Sequence, residues 1–350
     1  MNLQILWFCL IAFFWSGYFV LEGFDFGVGM LLPFLPRGEE ERSEMFRSIG
    51  PVWDGNEVWL VVAGAATFAA FPSWYGTMFS GFYLALLFVL VLLILRVVSF
   101  EWRDKGDKAR WRRVWMWANA VGSAGIPLVW GVALADLIYG LPIDSGGDYT
   151  GNFWDLFSAY SVLVGLAFVL LFAFHGAGYL TLRTSGDLYE RARRAARALA
   201  VPAIAVGAAF MIWTVVVAVD RNHKDVFRPV LPAVIAIVAL LLAGYFAYRG
   251  RNGLGFAMTA IATLAAVATL FTGLYPRVMV SSTSFGNSLT VSGAASVHYT
   301  LAVMSVVALV LVPVILLYQS WNYYVFRARI TGSELSAPVP AQSATHPGPG

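Results

Sequence analysis

Residues 3–32 read LQILWFCLIAFFWSGYFVLEGFDFGVGMLL. About 20 apolar residues suffice to carry a helix across a bilayer, and this run is longer, with Glu22 and Asp25 as its only charges. It exceeds the apolar core of a signal peptide, and no basic segment precedes it. It therefore reads as a first membrane helix that stays in place rather than a leader that is removed. A carboxyl is expensive at membrane depth, so two in one span ask for a reason.

The rest of the chain follows the same pattern. Hydrophobic residues make up 59% of the 350 positions and charged residues 12%, about half the charge fraction of a soluble domain. Mean hydropathy is +0.71. Nine segments reach spanning length: Leu3–Leu32, Pro51–Phe71, Tyr75–Phe100, Val114–Ile138, Trp154–Leu182, Leu199–Val219, Pro229–Tyr248, Leu254–Tyr275 and Val297–Phe326. These runs are too long for barrel strands and do not alternate. Pro51 and Pro229 suit a first helical turn. The expected fold is an all-α polytopic membrane protein of about nine spans, one domain over 1–330. The Pro/Ala/Ser/Gly-rich residues 331–350, with His346, are expected to form a disordered cytoplasmic tail. Residues Pro276–Ser296 make a longer link, whose Ser, Thr and Asn content suggests a structured cap.

Loop charge gives the orientation. Of the 23 Lys and Arg residues, 18 fall on one set of alternate loops. Four lie on the other (Arg221, Lys224, Arg228, Arg277), and Arg96 sits inside a span. The positive-inside rule then puts the N-terminus outside and the C-terminus in the cytoplasm. The basic residues lie in short loops rather than one patch, which argues against nucleic acid as a partner.

The chemistry-bearing residues converge. Glu22 and Asp25 lie three apart on helix 1 and share a face, close to its cytoplasmic end. Asp54 and Glu57, also three apart, open helix 2 on the same side, and Arg96 lies near the cytoplasmic end of helix 3. Three consecutive helices thus bring four acids and one base to a single layer. Carboxyls crowded around one arginine cannot all be ionised cheaply, and groups so placed can take up and release protons. A cytoplasm-facing proton entry is one reading; an ion-pair cluster that only locks three helices is the other. Gly23, Gly27 and Gly29 flank Asp25 at a spacing that lets a neighbouring backbone approach.

Other chemistry is missing from the sequence. There is no phosphate loop, no Cys/His metal spacing and no nucleophile elbow. Cys9, the one cysteine, is expected to be a small packed residue. A b-type haem needs axial His or Met ligands. His175 alone lies well inside a span, in FHGA at 174–177, and is expected to be a hydrogen-bonded core residue. His223 and His298 fall at the outer side.

GFDFGVGML at Gly23–Leu31 resembles the GFD-x-GVGML signature of cytochrome bd oxidase subunit II, and PVWDGNEVWL at Pro51–Leu60 is similar to that family's P-x-WDGN-[QE]-VWL motif. FSGFY at 79–83, the Arg96–Arg103 stretch and GNF at 151–153 follow in order. So do VSST at 280–283, Asn287–Thr290, Val312-Pro313 to Tyr318, and RIT at 329–331. The resemblance covers nearly the whole chain, more thinly between Arg183 and Tyr275. It implies two four-helix bundles plus one peripheral helix. It also implies a haem-free subunit, in a bacterial inner membrane, of a quinol oxidase whose haem-bearing subunit I holds haems b and d. That partner oxidises quinol and reduces oxygen to water with protons drawn from the cytoplasm. The family's membrane acids carry over to Asp25 and Asp54 and its helix 3 arginine to Arg96; Glu22 and Glu57 are less firmly matched. Members can also hold a structural quinone and lipid, and some complexes add a small single-helix subunit. No catalysis is expected from this chain alone.

Two alternatives stay open: a purely structural scaffold in the same complex, and a proton-coupled secondary transporter. The transporter would be expected to break its helices near the midplane in related halves, whereas these acids crowd one side of the first three spans.

Overall fold

A computed structural model describes residues 2–330 except Asp107 and Lys224; the expected tail and His346 lie outside the described residues. The first spans are α1 (Leu3–Leu31), α3 (Trp53–Ala70), α5 (Tyr83–Trp102) and α6 (Ala109–Tyr139). Two shorter helices lie between them, α2 (Glu39–Ile49) and α4 (Pro72–Gly81). The second set is α7 (Ala159–Arg183), α8 (Gly186–Asp220), α9 (Phe227–Arg249) and α10 (Asn252–Leu274), followed by α11 (Val291–Ala294) and α12 (His298–Val325).

Eight of these helices are long and apolar enough to cross a membrane. The ninth expected span is α3, a shorter helix of 18 residues. Asp54, Asn56 and Glu57 near its start keep it outside that set. At 1.5 Å per residue its length of roughly 27 Å still approaches the hydrocarbon thickness.

Helices α1, α3, α5 and α6 form one bundle, in which α1 packs on α3 and α6, and α5 packs on α6. Helices α7 to α10 form the second, closed by α10 returning against α7, and α1 and α6 join the two through α7. Helix α12 stands at the edge against α1 and α3, with only Leu301 and Gln319 of its residues fully buried. The joint between bundles depends on glycine. A Cβ at Gly27 would lie 2.0 Å from the Phe172 carbonyl oxygen and 2.7 Å from Gly176 Cα, and one at Gly131 would lie 2.6 Å from Gly165 Cα. The backbones touch there because no side chain intervenes.

Three expectations need correction, and one helix is additional. The span expected over Tyr75–Phe100 is divided, with α4 ending at Gly81 and α5 starting at Tyr83. Helix α2 was not anticipated, because its Met45, Phe46 and Ile49 make too short an apolar stripe to signal a span. Helix α8 begins 13 residues before the expected Leu199, as a basic amphipathic extension, since hydropathy does not mark a polar helical end. Cys9 is exposed on the outside of the bundle rather than packed.

On the side away from the arginine-rich loops, the link after α10 is ordered. Strands β1 (Arg277–Met279) and β2 (Leu289–Thr290) pair antiparallel. The Leu141 N–H donates to the Val280 carbonyl at 3.0 Å, and Ser281 Oγ donates to the Ile143 carbonyl at 2.8 Å. The link is thereby pinned to the end of the first bundle.

Candidate functional site: a buried acid–arginine layer

The site lies between α1, α3 and α5, near the arginine-rich side. Helix α5 is otherwise almost wholly apolar, so its single buried guanidinium needs counter-charge from its neighbours. Arg96 is fully enclosed, with Nη1 2.6 Å from Glu22 Oε1 on α1 and 3.5 Å from Glu57 Oε2 on α3. Both contacts are ion pairs to the same guanidinium nitrogen. The Arg96 guanidinium carbon lies over two rings, 4.9 Å from the Phe26 centroid and 5.5 Å from that of Phe100. Helix α6 closes the floor, where a Cβ at Gly122 would lie 3.3 Å from Arg96 Cβ.

Asp25 is fully buried but is turned toward a different set of groups. Its Oδ2 accepts from Asn56 Nδ2 at 2.6 Å. Asn56 Oδ1 in turn accepts from Gln319 Nε2 at 2.9 Å and from Tyr323 Oη at 2.7 Å, both on α12. Asp54 is exposed. It lines an open groove of about 540 Å³ between α3 and α12, with Val58, Trp59, Ile315, Gln319 and Asn322. Among the described residues Asp54 has no ion pair with Arg96.

Of the five site residues expected from sequence, Glu22, Glu57 and Arg96 are in direct contact, Asp25 adjoins them through α1, and Asp54 stands at the groove. Several contributors were missed. Tyr18 lies one turn from Glu22 on α1 and is fully buried. Asn119 on α6 donates to Ser99 Oγ at 2.8 Å, and Ser99 Oγ donates to the Arg96 carbonyl at 2.5 Å. A signal did exist: Asn119 with Ser123, four apart in an apolar helix, and Gln319, a lone amide in the last span.

His175 does not fit an iron ligand. Its Nε2 donates to the Val20 carbonyl at 3.2 Å, which leaves Nδ1 to accept from the Thr259 hydroxyl at 2.6 Å. Its ring stacks on Phe256 at 4.4 Å between centroids, so both nitrogens and one face are occupied by protein. Among the described residues, no group of three or more His, Cys, Asp or Glu could hold a metal ion.

The family model described as cytochrome bd terminal oxidase subunit II matches residues 3–326. The chain belongs to this family. It is 41% identical to the cytochrome bd ubiquinol oxidase subunit 2 of Bacillus subtilis (strain 168), across 95% of this chain and 98% of that one. It is 37% identical to the cytochrome bd-I ubiquinol oxidase subunit 2 of Escherichia coli (strain K12), across 95% and 96%. In fold, it matches a chain of the bd oxidase structure from Geobacillus thermodenitrificans with a TM-score of 0.74 and 19% identity, covering 93% of this chain and 97% of that one. The bd oxidase subunit II fold is therefore the frame in which the acid–arginine layer sits.

Proposed function

We propose that this chain is the haem-free second subunit of a quinol:oxygen oxidoreductase. In this reading it supports the haem-bearing subunit I and gives cytoplasmic protons a way to that partner's oxygen-reducing centre. It sits in a bacterial cell membrane with its N-terminus outside and its C-terminus in the cytoplasm. Membrane lipid, a structural quinone and a small single-helix subunit are further partners of the assembly. The haems b and d of subunit I supply electron transfer and oxygen reduction; this chain's own residues hold and move protons.

One observation carries the reading: a fully enclosed Arg96 bridges Glu22 and Glu57 from two other helices, with buried Asp25 beside them. A structural clamp needs one carboxylate for one guanidinium. Here two acids contact a single cation and a third lies one turn away on α1, so the cluster can exchange a proton and keep its counter-charge. Asp54, exposed at the groove, lies on the same helix as Glu57 and is the first carboxyl a proton from the cytoplasm reaches. From there the order of transfer is Asp54, Glu57, then Glu22 and Asp25. Arg96 holds negative charge in the layer between transfers.

The test is Asp25→Asn in the assembled complex, read by haem spectrum and oxygen consumption. The expected outcome is an unchanged haem complement with turnover down at least about tenfold, equivalent to about 1.4 kcal/mol on the barrier. Full turnover with haems intact sinks the proton route and leaves the scaffold role standing.

A further inference from the structure

We propose that Asn56 is a positioning residue that sorts the two oxygens of Asp25, tying Oδ2 and leaving Oδ1 as the atom that takes the proton. The inference rests on the proton-route reading and goes beyond it by naming the atom.

The argument is one of donors and acceptors. Asn56 is fully buried, and four groups surround its carboxamide. One of them is the backbone carbonyl of Leu21, 3.3 Å from Nδ2. A carbonyl oxygen can only accept, so the amide nitrogen must face α1. That fixes the other end: Oδ1 faces α12, where it accepts from Gln319 Nε2 and Tyr323 Oη. The amide cannot turn over without setting its oxygen against the Leu21 carbonyl and discarding two donors.

Asp25 Oδ2, 2.6 Å from Nδ2, is therefore always an acceptor. A hydroxyl oxygen accepts more weakly than a carbonyl oxygen, so a proton on Oδ2 would weaken the bond from Asn56. Oδ1 is buried and accepts no hydrogen bond from a protein N–H or O–H among the described residues. When Asp25 is protonated, the hydroxyl is at Oδ1 and the carbonyl is at Oδ2. Asn56 does not carry the proton, since an amide neither gains nor loses one at these acidities. It holds the carboxyl plane so that one oxygen faces the relay.

The same amide links Asp25 to the last helix. Helix α12 is thinly packed, and its polar attachments lie near its two ends. At one end Trp7 Nε1 donates to the Leu301 carbonyl at 3.2 Å and to Ser305 Oγ at 3.0 Å; at the other end are the two bonds to Asn56. Loss of Gln319 or Tyr323 thus loosens the amide that orients the acid.

The experiment uses the assembled oxidase and pH-difference infrared spectroscopy of the protonated carboxyl C=O stretch, with the Asp25 band assigned by its disappearance in Asp25→Asn. In Asn56→Leu the Oδ2 carbonyl loses its donor. The Asp25 band is expected to move to higher wavenumber, and turnover to fall about tenfold, the scale of one hydrogen bond to a charged group, with the quinol KM unchanged. Should Asn56→Leu not assemble, Tyr323→Phe and Gln319→Leu carry the test, each with a smaller shift in the same direction. An unmoved band overturns the positioning role, even where Asp25→Asn is slow. Wild-type turnover in Asp25→Asn instead removes the proton route beneath it, so the two failures are told apart.

Discussion

Replacing Arg96 by methionine keeps most of the length and bulk of the side chain and deletes its charge. Glu22, fully enclosed, then loses the cation 2.6 Å away, and Glu57 loses the one at 3.5 Å. Breaking a buried pair from one side costs about 3–5 kcal/mol, because the remaining charge is left in a medium that cannot solvate it. Removing Glu22 as well takes away the fully enclosed carboxylate and leaves unpaired only Glu57, whose side chain is one-fifth exposed, so Arg96→Met/Glu22→Met is expected to come within about 1 kcal/mol of the parent. The double variant is then more stable than Arg96→Met alone by at least about 2 kcal/mol, so the two single losses do not add. Equilibrium unfolding of the complex in mixed micelles measures it, with oxygen consumption recorded on the same samples. A relay predicts that the double variant regains stability but not turnover, whereas a clamp predicts that both return. The reasoning is refuted if Arg96→Met alone costs less than about 1 kcal/mol, or if the two single losses simply add.

Two further outcomes follow from geometry at other places. Gly27→Ala puts a methyl 2.0 Å from a backbone oxygen of α7, and overpacking of this kind costs about 1–3 kcal/mol. The yield of assembled complex is expected to fall, while Gly64→Ala, with nothing within 4 Å of its new methyl, assembles normally; equal yields would contradict the close contact between bundles. On the surface helix α2, partial burial works against the charge of Glu41. A hydrogen bond from the Arg37 N–H at 2.6 Å and the ion pair with the Arg191 guanidinium outweigh it, and its carboxyl is held below the ordinary glutamate value. Its contribution to stability is therefore fully present above the ordinary pKa of about 4.3 and is lost as pH falls through the lower folded value. Glu41→Gln should be less stable than the parent at neutral pH and equal to it in acid. A gap that persists at the lowest pH would rule this out.

Hydropathy and loop charge are properties of composition along the chain, and they were enough for the fold class. A run such as Leu3–Leu32 cannot be satisfied in water, and its helix closes its own backbone hydrogen bonds in lipid. The same pattern brought Glu22, Asp25, Asp54, Glu57 and Arg96 to one layer, because distance from a basic loop is legible residue by residue. It did not reveal helix α2 or the basic extension of α8, whose polar faces lie outside the hydrophobic signal.

What the linear chain could not assign was partnership. Glu22 and Asp25, three apart, differ by roughly 60° around the helix. That offset is small enough to call one face, yet large enough to put one acid on Arg96 and the other on Asn56. Which neighbour fills each direction is decided by helices far away in sequence. Gln319 and Tyr323 reach Asn56 across more than 260 positions, and Gly27 meets Gly176 only because two bundles close on each other. Asp54 opens to the groove rather than to Arg96, since the direction a helical side chain faces follows from packing and not from hydropathy. The sequence alone determined a membrane-embedded helical protein with acids gathered near one surface. Only the tertiary structure decided which of them share the arginine, which is held by an amide and which opens to the groove, because a helix fixes the angle between its side chains but not the identity of the helix each one meets.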